Sequence, residues 1–113
     1  MLPRANRLTK KKDFESVFKT GKIFRDGVLL FKTTENNLKE SRFGFVVSKK
    51  ISNKANIRNK VKRRLRQAVL ANMGEMKKSL DVIVVALSGI QNKEFIEIQN
   101  IVAKFIKNIN FKV

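Results

Sequence analysis

Apolar positions follow two different periods along this chain, and the switches between them mark its elements. Phe14, Val17 and Phe18 recur at helical spacing. Thr9 can cap a helix over residues 9–20, and Gly21 can stop it. Residues 1–8, which hold the one proline, read as an extended arm. Residues 22–34 read as a strand region interrupted at Asp26 and Gly27, with its apolar centre at residues 28–31. Residues 35–40 form a polar turn. Over residues 42–48 strict alternation puts Phe43, Phe45 and Val47 on one face of a second strand, and the two strand regions are expected to pair as a hairpin.

A basic loop over residues 49–56 leads into a helix over residues 57–73 that ends near Gly74. Its apolar stripe is Ile57, Val61, Leu65, Ala68 and Val69. Residues 81–87 are a continuous β-branched run, the pattern of a strand buried on both faces. A last helix over residues 92–108 carries Phe95, Ile98, Val102, Phe105, Ile106 and Ile109 on its apolar face. The order α-β-β-α-β-α predicts an α+β sandwich, one sheet with packed helices.

Length allows one domain's worth of core and little more: 113 residues with 42% apolar content suit a single folded unit. Cys and His are both absent, which excludes thiol nucleophiles, disulfides, Cys-based zinc sites and imidazole acid–base catalysis. The lack of Cys fits a reducing cytoplasm. The longest apolar runs are too short to cross a bilayer, and no apolar segment follows the basic residues 1–12 as a secretion signal requires. Asp13 and Glu15 stand at i,i+2 and do not share a helix face, and no other carboxylates form a close-spaced metal pair. Ser48 and Ser52 have no histidine base. The five glycines are scattered and build no phosphate loop, so no small-molecule substrate is expected.

Charge narrows the field furthest. Twenty-six Lys and Arg face nine Asp and Glu, a net charge of +17 that a polyanion would relieve. A Lys-rich composition could inflate charge without a partner, but the distribution here is uneven. No acidic residue occurs from Ser41 to Gly74, where ten basic residues do. Four of the eight arginines, Arg58, Arg63, Arg64 and Arg66, lie within nine positions. Solvated helix faces usually alternate sign, whereas like charges at i,i+4 cost about 0.2–0.5 kcal/mol per pair. Residues 49–66 accept that cost with no carboxylate to pair with. On the helical wheel Arg58, Lys62 and Arg66 follow one line beside the apolar stripe, Asn59 and Arg63 a second, and Arg64 falls at the stripe's edge. Nucleic acid is the first candidate partner and an anionic membrane surface the second. The basic helix lacks the Trp- and Phe-rich face of a membrane-surface helix, so no membrane role is expected.

The run Ala55-Asn56-Ile57-Arg58-Asn59-Lys60-Val61-Lys62-Arg63-Arg64-Leu65-Arg66-Gln67 resembles the "RNR" helix of the bacterial ribonuclease P protein. The preceding VVSKKI, the N-terminal Asn6-Arg7-Leu8, Asp13-Phe14, Val17-Phe18 and Gly21, and the late DVIVVA strand are similar too, so the resemblance spans the whole chain. Asn56, Lys60 and Val69 depart from the family's usual apolar, Arg and aromatic residues. The resemblance implies the fold of the second domain of ribosomal protein S5, with a left-handed βαβ crossover. It implies a protein subunit that binds a catalytic RNA and the 5′ leader of precursor tRNA, while the RNA and its Mg2+ ions perform the hydrolysis and the protein carries no catalytic residue. By position, Lys49, Lys50, Lys54, Arg58, Asn59, Lys60, Lys62, Arg63, Arg64 and Arg66 would contact the catalytic RNA. Phe14, Phe18, Phe31 and Arg7 would line the leader cleft. Helical periodicity by itself leaves Phe14 and Phe18 open as platform or core, and Asn59 open as RNA contact or first-turn polar residue. Phe24, Phe43, Phe45, Phe95 and Phe105 are expected in the core. A ribosomal or translation-associated RNA-binding protein of similar fold is the alternative, and an autonomous nuclease a third class.

Overall fold

A computed structural model describes residues 2–111. Three helices, α1 (Lys11–Thr20), α2 (Ala55–Asn72) and α3 (Phe95–Phe111), surround one four-stranded sheet. Its strands are β1 (Lys22–Asp26), β2 (Leu29–Glu35), β3 (Arg42–Val46) and β4 (Leu80–Ala86), in the order β1-β2-β4-β3. β1 and β2 are antiparallel, as are β2 and β4, while β3 and β4 run parallel with α2 as their crossover.

The strand pairing corrects the hairpin expected between residues 22–34 and 42–48. Gly27, at φ 57°, turns the first region back on itself, so that Phe24 pairs with Phe31 and Lys22 with Thr33. β4 then inserts between β2 and β3. The reason is its composition. Val82 and Val84 point to one face and Ile83 to the other, and all three are fully buried. Only a central strand covers both faces of such a run.

The two faces are covered unequally. On one, Phe31, Phe43, Val82 and Val84 meet Val61, Leu65, Ala68 and Val69 of α2 and Ile98, Val102, Phe105 and Ile106 of α3 in one continuous core. On the other, α1 alone sits on the sheet, packing Val17 and Leu8 against Ile83 with Phe14, Val46 and Val85 around them. Gly44 lets α1 lie this close: a Cβ there would stand 2.7 Å from the Phe14 ring.

The N-terminal residues are not the extended arm the sequence suggests. Leu2 and Leu8 are buried, a 3-10 turn spans Arg4–Asn6, and Arg7 bridges to Phe43 in parallel register. The Leu8 N–H donates to the Phe43 carbonyl at 2.9 Å, and the buried Asn6 Nδ2 donates to the Ser41 carbonyl at 2.8 Å. Residue 1 lies outside the described residues. The segment is held because the outer edge of β3 has unpaired backbone groups and its two leucines have apolar surface to bury. Thr9 does not cap α1, whose N-cap is Lys10 with no side-chain bond. Gly21 does end the helix, through close approach rather than a left-handed backbone: its φ is −66°, and a Cβ would meet the Val17 carbonyl at 2.5 Å.

Arg42 ties the elements of the half-covered face together. Its Nε and one terminal nitrogen donate to the two carboxylate oxygens of Asp81 at 2.8 and 2.6 Å, and its other terminal nitrogen reaches Asp13 at 3.2 Å. The hydrogen bond from Asp81 raises the Arg42 pKa above its ordinary value, with burial opposing and the charges of Asp81 and Asp13 assisting. α1, β3 and β4 are thereby joined at one guanidinium.

Candidate nucleic-acid interface

The basic segment is anchored to the fold at several points. Ile51 is buried and anchors the loop before α2, where the Ile51 N–H donates to the Ser48 carbonyl at 3.0 Å and Gln91 Nε2 reaches the Ile51 carbonyl at 3.4 Å. Around that plug Lys49, Lys50 and Lys54 are exposed. Arg58 donates to the Ser52 carbonyl at 2.9 Å, tying the loop to the first turn of α2. That turn contains no acidic residue, so the positive end of the helix dipole adds to the side-chain charge.

Along α2, Val61, Leu65, Ala68 and Val69 are buried as the apolar stripe requires. Asn59, Lys60 and Arg63 are exposed, while Arg58, Lys62, Arg64 and Arg66 are half-buried, their stems against the core edge. Among the described residues, ion pairs form at Lys11–Glu15, Arg42–Asp13, Arg42–Asp81, Lys93–Glu97 and Lys104–Asp26, and none involves a cation of residues 49–66. This side of the molecule holds positive charge without internal compensation.

The expected leader-cleft residues divide. Phe18 is 46% exposed and Phe14 half-buried on the α1 side of the sheet. Phe31 is not there. It is fully buried on the opposite face, stacked on Phe105 with ring centroids 3.9 Å apart and planes within 5°. Strand alternation explains the difference: in β2, Leu30 and Lys32 turn towards α1, and Leu29 and Phe31 turn away. Lys32 takes the expected place of Phe31. Its ammonium lies 3.6 Å from the Phe18 ring centroid and donates to the Phe18 carbonyl at 3.2 Å. Lys32 was absent from the sequence-based expectation, although the period-two pattern of β2 contained the signal. Arg7 is also placed differently. It lines a cavity with Lys62 and Arg66 rather than standing beside Phe18.

The five phenylalanines expected in the core lie there: Phe43 and Phe105 are buried, and Phe24, Phe45 and Phe95 pack against the same core. Among the described residues no three His, Cys, Asp or Glu side chains gather where they would hold a metal ion, and no helix is long and apolar enough to cross a membrane.

This architecture has counterparts among known proteins. The ribonuclease P family model matches residues 2–110. The ribonuclease P protein component of Syntrophomonas wolfei is 34% identical over 117 aligned residues, covering 97% of this chain and 98% of that protein. The Synechocystis protein component is 36% identical over 87 residues, covering 76% and 70%. Among solved structures, the RNase P protein from Thermotoga maritima superposes with a TM-score of 0.82 at 28% identity, covering 90% of this chain and 96% of that one. The Staphylococcus aureus RNase P protein gives a TM-score of 0.81 at 28% identity, covering 96% and 97%. In sequence along nearly its whole length, and in fold, the chain belongs to the ribonuclease P protein family.

Proposed function

We propose that this chain, as the protein subunit of ribonuclease P, binds the catalytic RNA through residues 49–66 and the 5′ leader of precursor tRNA across the half-covered face of the sheet. The observation that carries the reading is the cation-bearing side of α2 and its preceding loop, where none of the basic residues is paired to a carboxylate among the described residues. Phosphates arriving there release their counterions without first breaking an internal ion pair. Lys49, Lys50, Lys54, Lys60 and Arg63 meet the RNA at the exposed side. Arg58, Lys62, Arg64 and Arg66 reach it from the margin of the core. Phe18, with Phe14 beneath it and Lys32 across its ring, offers an aromatic and cationic surface for single-stranded nucleotides.

In this reading the protein screens repulsion between two RNAs and positions the leader. Hydrolysis and the Mg2+ ions it needs belong to the RNA subunit, in keeping with a chain that lacks His and Cys. The test is binding by the enzyme reconstituted from this chain and its catalytic RNA. Leader-bearing precursor is expected to bind more tightly than mature tRNA, with the advantage shrinking as salt rises. Equal affinity for the two would remove the leader from the contact surface.

A further inference from the structure

We propose that the cavity between the N-terminal segment, the outer edge of β3 and α2 is a receptor for one unpaired nucleotide of a bound RNA. The proposal rests on the RNA-binding reading above and adds a site of defined shape to it. The cavity has a volume of about 300 Å3 and is lined by Leu2, Arg7, Leu8 and Thr9 on one side, by residues 43–45 at its floor, and by Lys62 and Arg66 on the other. Three features single it out from the other surface depressions.

First, three cations converge there from segments more than fifty positions apart in sequence. Lys62 and Arg66 stand one helical turn apart on α2, and Arg7 comes from the opposite wall. None of the three is ion-paired among the described residues. Second, Arg7 is aimed. Its Nε donates to the Leu2 carbonyl at 2.9 Å, which fixes the stem and leaves both terminal nitrogens without a protein partner among the described residues. A guanidinium held in this way presents its fork to a phosphate. Third, the walls are apolar. Phe45 is half-buried and backed by the buried Leu2, Leu8 and Phe43, so its ring offers a base a surface to lie on beside the anion site.

A free phosphate does not need those walls, and a base pair within a stem does not enter a cavity of this size. One splayed-out nucleotide uses both features, with its phosphate on Arg7, Lys62 and Arg66 and its base against Phe45. The wall is also dependably built: Leu8 and Arg7 hold the N-terminal segment to β3 through backbone contacts, and the Asn6 side chain donates to the Ser41 carbonyl just before that strand.

The chain has no cysteine, so Thr9→Cys, at the exposed rim, supplies a unique attachment point for an azidophenacyl photocrosslinker. Irradiation of the labelled full chain with the catalytic RNA alone, and then with precursor tRNA added, distinguishes the two sources of the nucleotide. The expected result is one dominant crosslink, at an unpaired nucleotide, in one of the two RNAs. Arg7→Gln with Arg66→Gln should reduce it about tenfold, and Lys39→Gln with Lys107→Gln, an equal charge loss at exposed positions away from the cavity, by less than about threefold. In unlabelled protein, Thr9→Trp should fill the mouth and weaken RNA binding about tenfold with no cation removed. Tight RNA binding with crosslinks spread over paired regions, or with full affinity retained by Thr9→Trp, overturns the cavity assignment alone. A labelled chain that binds neither RNA overturns the RNA-binding reading together with it.

Discussion

Arginine is used in two opposed ways on this small molecule. At the junction of α1, β3 and β4, Arg42 donates to both oxygens of the buried Asp81 and to Asp13, and its charge is spent inside the fold. On α2, Arg63 is exposed, Arg58 is bound only to a backbone carbonyl, and no carboxylate meets either among the described residues. The phenylalanines show the same division. Phe31 is stacked on Phe105 in the core, and Phe18 stands on the open side of the sheet under the Lys32 ammonium. Residue type therefore says little about role in this protein. What decides it is whether burial or a carboxylate within the fold takes up the side chain.

The largest effect that sharpens this contrast comes from the core aromatic. Phe31→Ala should cost about 3–5 kcal/mol of folding stability by opening a cavity against Phe105, Phe24 and the α2 stripe. Denaturant unfolding measures it. A stability change below about 1 kcal/mol, with lost leader affinity instead, would return Phe31 to the cleft. Next is the ion-paired arginine. Arg42→Ala strands the Asp81 carboxylate and should cost about 3 kcal/mol in stability. The refolded variant should bind RNA nearly as well as the parent.

Phe18→Ala is the counterpart on the open face. Its fold should lose little, because the ring is half-exposed, while affinity for a leader-bearing precursor should fall by about 1–3 kcal/mol, the worth of one stacked base. Mature tRNA, titrated in parallel, should show almost no change. If both RNAs weaken equally, Phe18 acts through general binding and not through the leader.

The sequence disclosed most of the elements because their hydrophobic periods are strong. The stripe of α2, the continuous apolar run of β4 and the closing amphipathic helix all appear where the pattern put them, within a few residues. Pairing was harder to read. The β-branched run of β4 announced a buried strand, yet nothing local said that it would divide β2 from β3, since the partners of a central strand are chosen by the whole sheet. The N-terminal residues looked like an arm because their stabilising contacts, Leu2 and Leu8 over the β3 edge and Asn6 on Ser41, are all distant in sequence.

The candidate surface was legible to the same extent and for the same reason. The run of nine cations and no carboxylate over residues 49–66 is visible in one dimension, and the fold leaves it without a carboxylate partner among the described residues. Phe31 was misassigned because its membership of an apolar run hid the alternation that turns it inward and Lys32 outward. Arg7 could not be joined to Lys62 and Arg66 before the N-terminal segment was seen lying along β3.

The claim on which the functional account turns is that the α2 cations act on RNA directly and uncompensated. It is tested by the salt dependence of catalytic-RNA affinity for the parent chain and for a Lys60→Gln, Arg63→Gln double variant, two exposed positions whose loss should change stability by less than about 0.5 kcal/mol each. The account predicts a shallower dependence of log affinity on log salt, by about 0.7–0.9 for each cation removed, with parent and variant converging at high salt. Parallel lines of unchanged slope would contradict it.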